Sequence, residues 1–283
     1  MCFVGVRQTA QPATPHWLEL LNTGHCKDAE DLCTGWLTST DKGRQVEAYK
    51  CLANAALCGN TAIRLEGDDA GGGTMSEDFQ PEAIDKALGY LNQALKLAPQ
   101  DLSIHQGRLH LLEISFRVPE MASALDESCR VYKGPHALDA WLAYTDEFFQ
   151  DKRYRAALTL LEVLDRHYPD SHEVQGNMGA MHMALKEDDK ALVYLLKAVE
   201  LAPSDPIDTW NLAREYDFTD KTELADALYQ KAIALDSDAG RRRTSTCAYA
   251  TFVEQKLRDA KRACELQKTA CPVKEQTACQ GSK

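Results

Sequence analysis

Helix-ending residues recur along this chain at a fixed interval. Pro135, Pro169 and Pro203 stand 34 residues apart, and a further 34 leads to Ser237 in AIALDSD. The step back from Pro135 to Pro99, in ALKLAPQD, is 36. A proline cannot continue a helix, because it lacks the amide donor and its ring clashes with the preceding turn. Five helix ends on one period, with one slip of two residues, therefore predict stacked helical hairpins. Such a hairpin cannot bury its apolar face alone, so each must pack against its neighbours.

The residues before each mark test this independently, because two helices cross closely only where side chains are small. Counting back twelve, eight and five gives Ala87, Leu91 and Ala94; Ala157, Leu161 and Leu164; Ala191, Leu195 and Ala198; and Ala225, Tyr229 and Ala232. The unit before Pro135 fits only after a one-residue shift, as Ala122, Asp126 and Cys129, which puts an acid where a large apolar group belongs. Earlier in each unit stand Trp141, Tyr144, Thr145 and Phe148, then Gln175, Met178, Gly179 and His182, then Leu212, Ala213 and Tyr216, with Trp210 one place late.

These residues resemble the tetratricopeptide repeat family, whose pattern is W-x2-L-G-x2-Y, then A-x3-F, then P. The resemblance covers about residues 80 to 238 and implies an all-α fold, an α-solenoid of stacked helix-turn-helix repeats with a helical N-terminal region and a C-terminal capping helix. Three parts are expected: a helical region over 1–80, the repeat array over 81–238, and a basic cap and tail over 239–283. Helices are predicted at Trp17–Leu21, Ala29–Leu37 and Arg44–Leu57, and a long loop at GDDAGGGTMSEDFQ, centred on Gly71 to Gly73.

Charge bounds the partners. Ten Lys/Arg face four Asp/Glu between Arg241 and Lys283, which leaves −17 on the rest of a chain whose net charge is −11. An acidic body does not attract phosphate, so nucleic acid is not an expected partner. No apolar run is long enough to span a bilayer, and MCFVGVRQTAQPATPHW is not a standard secretory signal. As written, the chain is expected to be cytoplasmic, or periplasmic or secreted if a signal is missing and its cysteines are oxidised.

Ten cysteines is an even and high count. Cys26 and Cys33, Cys51 and Cys58, and Cys264 and Cys271 share one spacing, and Cys279 follows. None forms the C-x2-C knuckle usual for structural zinc. Residues seven apart on one helix lie too far apart to bond, but across a corner they could meet, so these six are disulfide candidates. Free, core-filling thiols are the alternative.

The chain shows no H-E-x-x-H, P-loop, G-x-G-x-x-G or G-x-S-x-G motif. No catalytic residue, metal site or cofactor is expected. Met178, Met181, His182 and Met183 would suit copper by donor type, but repeat phase places Met178 in the core.

The resemblance implies a concave groove lined by the first helix of each pair, holding a partner protein or peptide. Repeat phase puts Leu142, Asp146, Phe149, Ala180, Met183, Trp210 and Arg214 on that lining, with Trp210 and Phe149 as apolar anchors and Arg214 facing an acidic group. The family's carboxylate clamp needs Lys and Asn where Leu142 and Asp146 stand, so that binding mode is rejected although Asn177 and Asn211 resemble one element of it. The expected function is a non-enzymatic interaction scaffold, with self-association as a further expectation. The alternative is a disulfide-stapled structural protein of the cell envelope, similar to Sel1-like cysteine-rich helical repeats.

Overall fold

A computed structural model describes residues 15–59, 61–67, 73–134, 136–272, 275 and 277–279, with backbone alone for 61–67 and 73–79. The chain divides into two compact units at Ala137/Leu138, inside the 81–238 stretch.

In the first unit, α1 (His16–Asn22), α2 (Cys26–Trp36) and α3 (Lys42–Leu57) pack around Trp17, Cys33, Cys51 and Leu52. Next come α4 (Pro81–Leu97), α5 (Leu102–Ile114) and α6 (Val118–Val131). Ile84, Leu91, Ile104 and Leu111 of α4 and α5 close a second core against Val46 and Ala53 of α3. Between α3 and α4, strands β1 (Thr61–Gly67) and β2 (Gly73–Phe79) pair antiparallel from Thr61↔Phe79 to Gly67↔Gly73. Strand β2 thus occupies the second half of the stretch expected as a long loop, and residues 68–72 at its centre lie outside the described residues.

The second unit contains α7 (Ala137–Gln150), α8 (Tyr154–His167), α9 (His172–Ala184), α10 (Asp188–Leu201), α11 (Pro206–Phe218) and α12 (Thr222–Leu235). The C-terminal cap is a helix pair, α13 (Ala239–Phe252) and α14 (Ala260–Ala270), joined through a π-helical turn at Val253–Leu257. Tyr229, Tyr249, Phe252 and Val253 form the core under this cap, with Tyr229 and Phe252 ring centroids 5.1 Å apart.

The period seen in sequence has a backbone counterpart. The turn joining the two helices of each pair passes through one non-glycine residue with positive φ: Lys152 (60°), Lys186 (59°) and Asp220 (54°), each 34 residues from the next. The amide after each closes the last turn of the first helix, as Arg153 N–H to Phe148 O (2.8 Å), Glu187 N–H to His182 O (2.9 Å) and Lys221 N–H to Tyr216 O (2.8 Å). This six-residue closure satisfies carbonyls that the helix itself leaves unpaired. The same device at Phe116 (φ 57°) falls 36 residues before Lys152.

That offset locates the slip. In α6 the buried residues are Met121, Ala124, Leu125, Ser128 and Cys129, so of the expected triad Ala122, Asp126 and Cys129 only Cys129 is buried, and the residues at the small-large-small positions are Met121, Leu125 and Ser128. Met121, Leu125 and Ser128 count back from residue 133, which is 34 after Pro99. The two additional residues therefore enter between α6 and α7, where the two units meet in sequence, and Asp126 occupies no packing position. Where the repeat is regular the crossing is tight: a Cβ on Gly179 of α9 would come within 2.6 Å of Leu195 Cγ of α10.

Disulfides join neighbouring helices. Cys26 pairs with Cys58 and Cys33 with Cys51, at Cα separations of 5.7 and 6.2 Å, so the two seven-residue spacings align antiparallel on α2 and α3. In the cap, Cys247 pairs with Cys271 and Cys264 with Cys279, at 5.1 and 4.8 Å. Cys264 and Cys271, both at or beside α14, do not bond each other.

Candidate partner-binding surface

Two first helices of the second unit, α9 and α11, begin with side-chain caps. Ser171 Oγ accepts from Val174 N–H, and Asp205 Oδ1 accepts from both Ile207 and Asp208 N–H at 2.8 and 2.9 Å. Such caps satisfy amides that the helix cannot and set where each first helix starts. They thereby set which residues face outward.

On α11, Ile207, Trp210, Arg214 and Phe218 recur at helical spacing on one face. Ile207 and Phe218 are 51% and 68% exposed, as open as Val193 of α10 and Leu224 of α12, and they flank one aromatic on a single helix face. Trp210 is half-buried: its ring lies 4.6 Å from Tyr229, and its outer edge lines a cleft of about 310 Å³ with Pro206, Ile207, Ala232, Asp236, Arg241 and Ser245. Arg241 closes one side of that cleft, held by Asp236 at 2.7 Å. Asp236 in turn keeps its carboxyl below the ordinary range through its hydrogen bond from Arg241.

The other expected lining residues have mixed positions. Asp146 and Arg214 are exposed; Ala180 and Met183 are half-buried on α9. Phe149 is half-buried against Tyr154 of its own pair, ring centroids 5.6 Å apart. Leu142 is buried between helices. Ile207 and Phe218 were missed by the sequence reading, although they lie three residues before and eight after Trp210 and share its helical face.

Where α9 and α11 lie side by side, a polar cluster fills their shared N-terminal end. His172 Nδ1 is 2.7 Å from Asp208 Oδ2, and His172 Nε2 is 3.2 Å from Glu173. Burial pushes the Asp208 carboxyl up to about 6, against the pull of His172 and with the charge of Asp205 adding to the rise. For His172, burial acts downward, but the Asp208 hydrogen bond and the charges of Glu173, Asp208 and Asp205 outweigh it and raise the imidazole. In sequence, His172 belongs to none of the metal or catalytic motifs. Its partners are 33 and 36 residues away, about one repeat, and that spacing was the available signal.

In the methionine cluster Met178 and Met181 are core, each 2% exposed, and His182 stacks on Tyr194 and bonds Glu187 at 2.9 Å, whereas Met183 is half-buried.

Residues 172–205 and 210–238 match the tetratricopeptide repeat family model. The chain carries tetratricopeptide repeats. Among solved structures, the C-terminal part of a tetratricopeptide repeat-containing protein from Cytophaga hutchinsonii is 15% identical, with a TM-score of 0.54 over 95% of this chain and 98% of that one. That similarity is one of fold. A structure of PilF from Pseudomonas aeruginosa is 16% identical, covering 86% of this chain and 99% of that one at a TM-score of 0.45. MamA from Desulfovibrio magneticus RS-1 is 18% identical, covering 54% and 85% at 0.38. No curated protein sequence matches the chain.

Proposed function

We propose that this tetratricopeptide-repeat chain is a non-enzymatic binding module that holds a protein or peptide partner along the outward faces of its first helices, centred on α11. The observation that carries the reading is the exposure of Ile207 and Phe218 on either side of Trp210. Large apolar groups clustered in the open on one helix face mark interaction sites more than isolated ones do. The cleft beside Trp210 is of a size to take an apolar anchor. Arg214 offers a pairing site for an acidic group, while Asp146 and the acidic balance of the repeats favour basic flanks on the partner. Preorganisation supports affinity here: the stacked helices are ordered before binding, so the partner carries most of the ordering cost.

The test compares wild type with Ile207→Ser/Phe218→Ser in capture from native extract, with retained proteins identified by mass spectrometry. Both side chains are exposed, so helicity and unfolding midpoint are expected to stay the same while capture is lost. Equal capture by both would place binding on another surface.

A second reading has its own support. Four disulfides staple the two ends of the described chain. Stapling of this density suits an oxidising compartment and a structural role at a cell envelope. Counting thiols in unreduced protein purified from its native source tests it: all cysteines free would reject this second reading.

A further inference from the structure

We propose that His172, Asp205 and Asp208 form a site for one divalent metal ion of the zinc class, pinning two successive repeats to each other. One donor atom from each residue lies within 4.8 Å of the other two. His172 opens α9, whereas Asp205 and Asp208 open α11, so the donors come from adjacent repeats.

Asp208 indicates that the cluster is built for a ligand. It is 4% exposed, yet only its Oδ2 is engaged, by His172; Oδ1 has no hydrogen-bond partner among the described residues. That oxygen sits over Gly176 of α9, where a Cβ would collide with it. Glycine there leaves room for a carboxylate that the protein's own hydrogen bonds do not complete. A carboxylate oxygen that no protein donor engages is available to a cation, and a charged pair with a cation offsets the cost of holding this carboxylate at low exposure. Asp205 caps α11 through Oδ1 alone, leaving Oδ2 for the ion. Glu173, 3.2 Å from His172 Nε2, would orient the imidazole from outside when Nδ1 binds metal.

The donor set selects the ion. One imidazole with two carboxylates suits zinc, cobalt or manganese; thiophilic copper(I) and all-oxygen calcium are poorer matches. Binding would displace the proton shared by His172 and Asp208 and open their 2.7 Å contact, with water completing the coordination. The residue pattern differs from the expectation of no metal site, which rested on short sequence motifs. This site spans a whole repeat.

The experiment uses the full, disulfide-bonded chain stripped with chelator. Zinc chloride is titrated by calorimetry, and cobalt(II) by visible absorption, into wild type, His172→Gln and Asp205→Asn. Asparagine is itself a good helix cap, so Asp205→Asn preserves the fold while removing a ligand charge. Wild type is expected to take up one equivalent with Kd below about 10 µM, a tight value for three ligands plus water. Each variant should bind at least about tenfold more weakly at unchanged helicity. The proposal is overturned by a wild type with no stoichiometric uptake, by an Asp205→Asn chain that binds as tightly as wild type, or by a thiolate charge-transfer band showing cobalt on a cysteine. Should His172→Gln fail to fold, Asp205→Asn decides.

Discussion

Loss of the outer staple of the N-terminal hairpin, Cys26→Ser/Cys58→Ser, is the perturbation whose size follows most directly from the structure. Taken alone, the Cys26–Cys58 bridge closes a separation of 32 residues and Cys33–Cys51 one of 18. With the inner bridge intact, however, the outer one constrains only its two seven-residue arms, a loop of about 14 residues. In the chain-entropy model such a loop contributes about 3 kcal/mol, less than the same bridge would contribute alone. Removing both bridges should cost about 6 kcal/mol on the same basis. Trp17 and Trp36 pack in the core containing Cys33 and Cys51, so their fluorescence reports this region during urea unfolding. With a denaturant slope near 2 kcal/mol per molar, the outer-staple variant should unfold at roughly 1.5 M less urea. A midpoint within 0.3 M of wild type, read as about 0.6 kcal/mol, would refute the entropic reasoning. Ellman titration of the denatured, unreduced wild type should find no more than two thiols, since eight of ten cysteines are bridged. Cys129 should resist alkylation until the chain unfolds, because it is buried and burial pushes its thiol up to about 12.

Three other perturbations have defined outcomes. Lys152→Gly and Lys186→Gly relieve left-handed backbone at non-glycine residues and should each stabilise by about 0.5–1 kcal/mol in thermal or urea unfolding; a loss would show that the side chains matter more than φ. Glu215 is 1% exposed with neither carboxyl oxygen partnered among the described residues, and burial raises its carboxyl, so Glu215→Leu should stabilise by about 1–3 kcal/mol at neutral pH; a lower unfolding midpoint would contradict this. Hydrogen bonds from Lys190 and His182 hold the Glu187 carboxyl down to about 2, so its contribution is present above the ordinary 4.5 and is lost as pH falls through about 2. Glu187→Gln should therefore narrow its deficit against wild type in acid, and unfolding curves with a gap independent of pH between 5 and 2 would refute that sign.

Much of the fold was legible because the signal was local and repeated. Ala191, Leu195 and Ala198 set a small-large-small crossing within one helix, and the same volumes recur at Ala225, Tyr229 and Ala232. Positive-φ turns at Lys152, Lys186 and Asp220 carry the same period, although no glycine advertises them in the sequence. The candidate surface was less legible. Trp210 and Arg214 were identified by repeat phase, but Leu142 packs inward and the more exposed Ile207 and Phe218 were passed over. Phase assigns a helix face; exposure depends on how far neighbouring helices cover it.

By itself the sequence determined the repeat unit, its two helices and their faces, since side-chain volume at helical spacing dictates how closely helices cross. Tertiary structure decided what depends on partners distant along the chain. The antiparallel docking of α2 on α3 chose Cys26–Cys58 and Cys33–Cys51 over any pairing by spacing. The actual packing of α6 moved its phase to Met121, Leu125 and Ser128. The stacking of α11 on α9 brought Asp208 onto His172 over the gap left by Gly176. Each outcome requires two helices to be docked before the residues can meet, and no periodicity within one helix encodes that meeting.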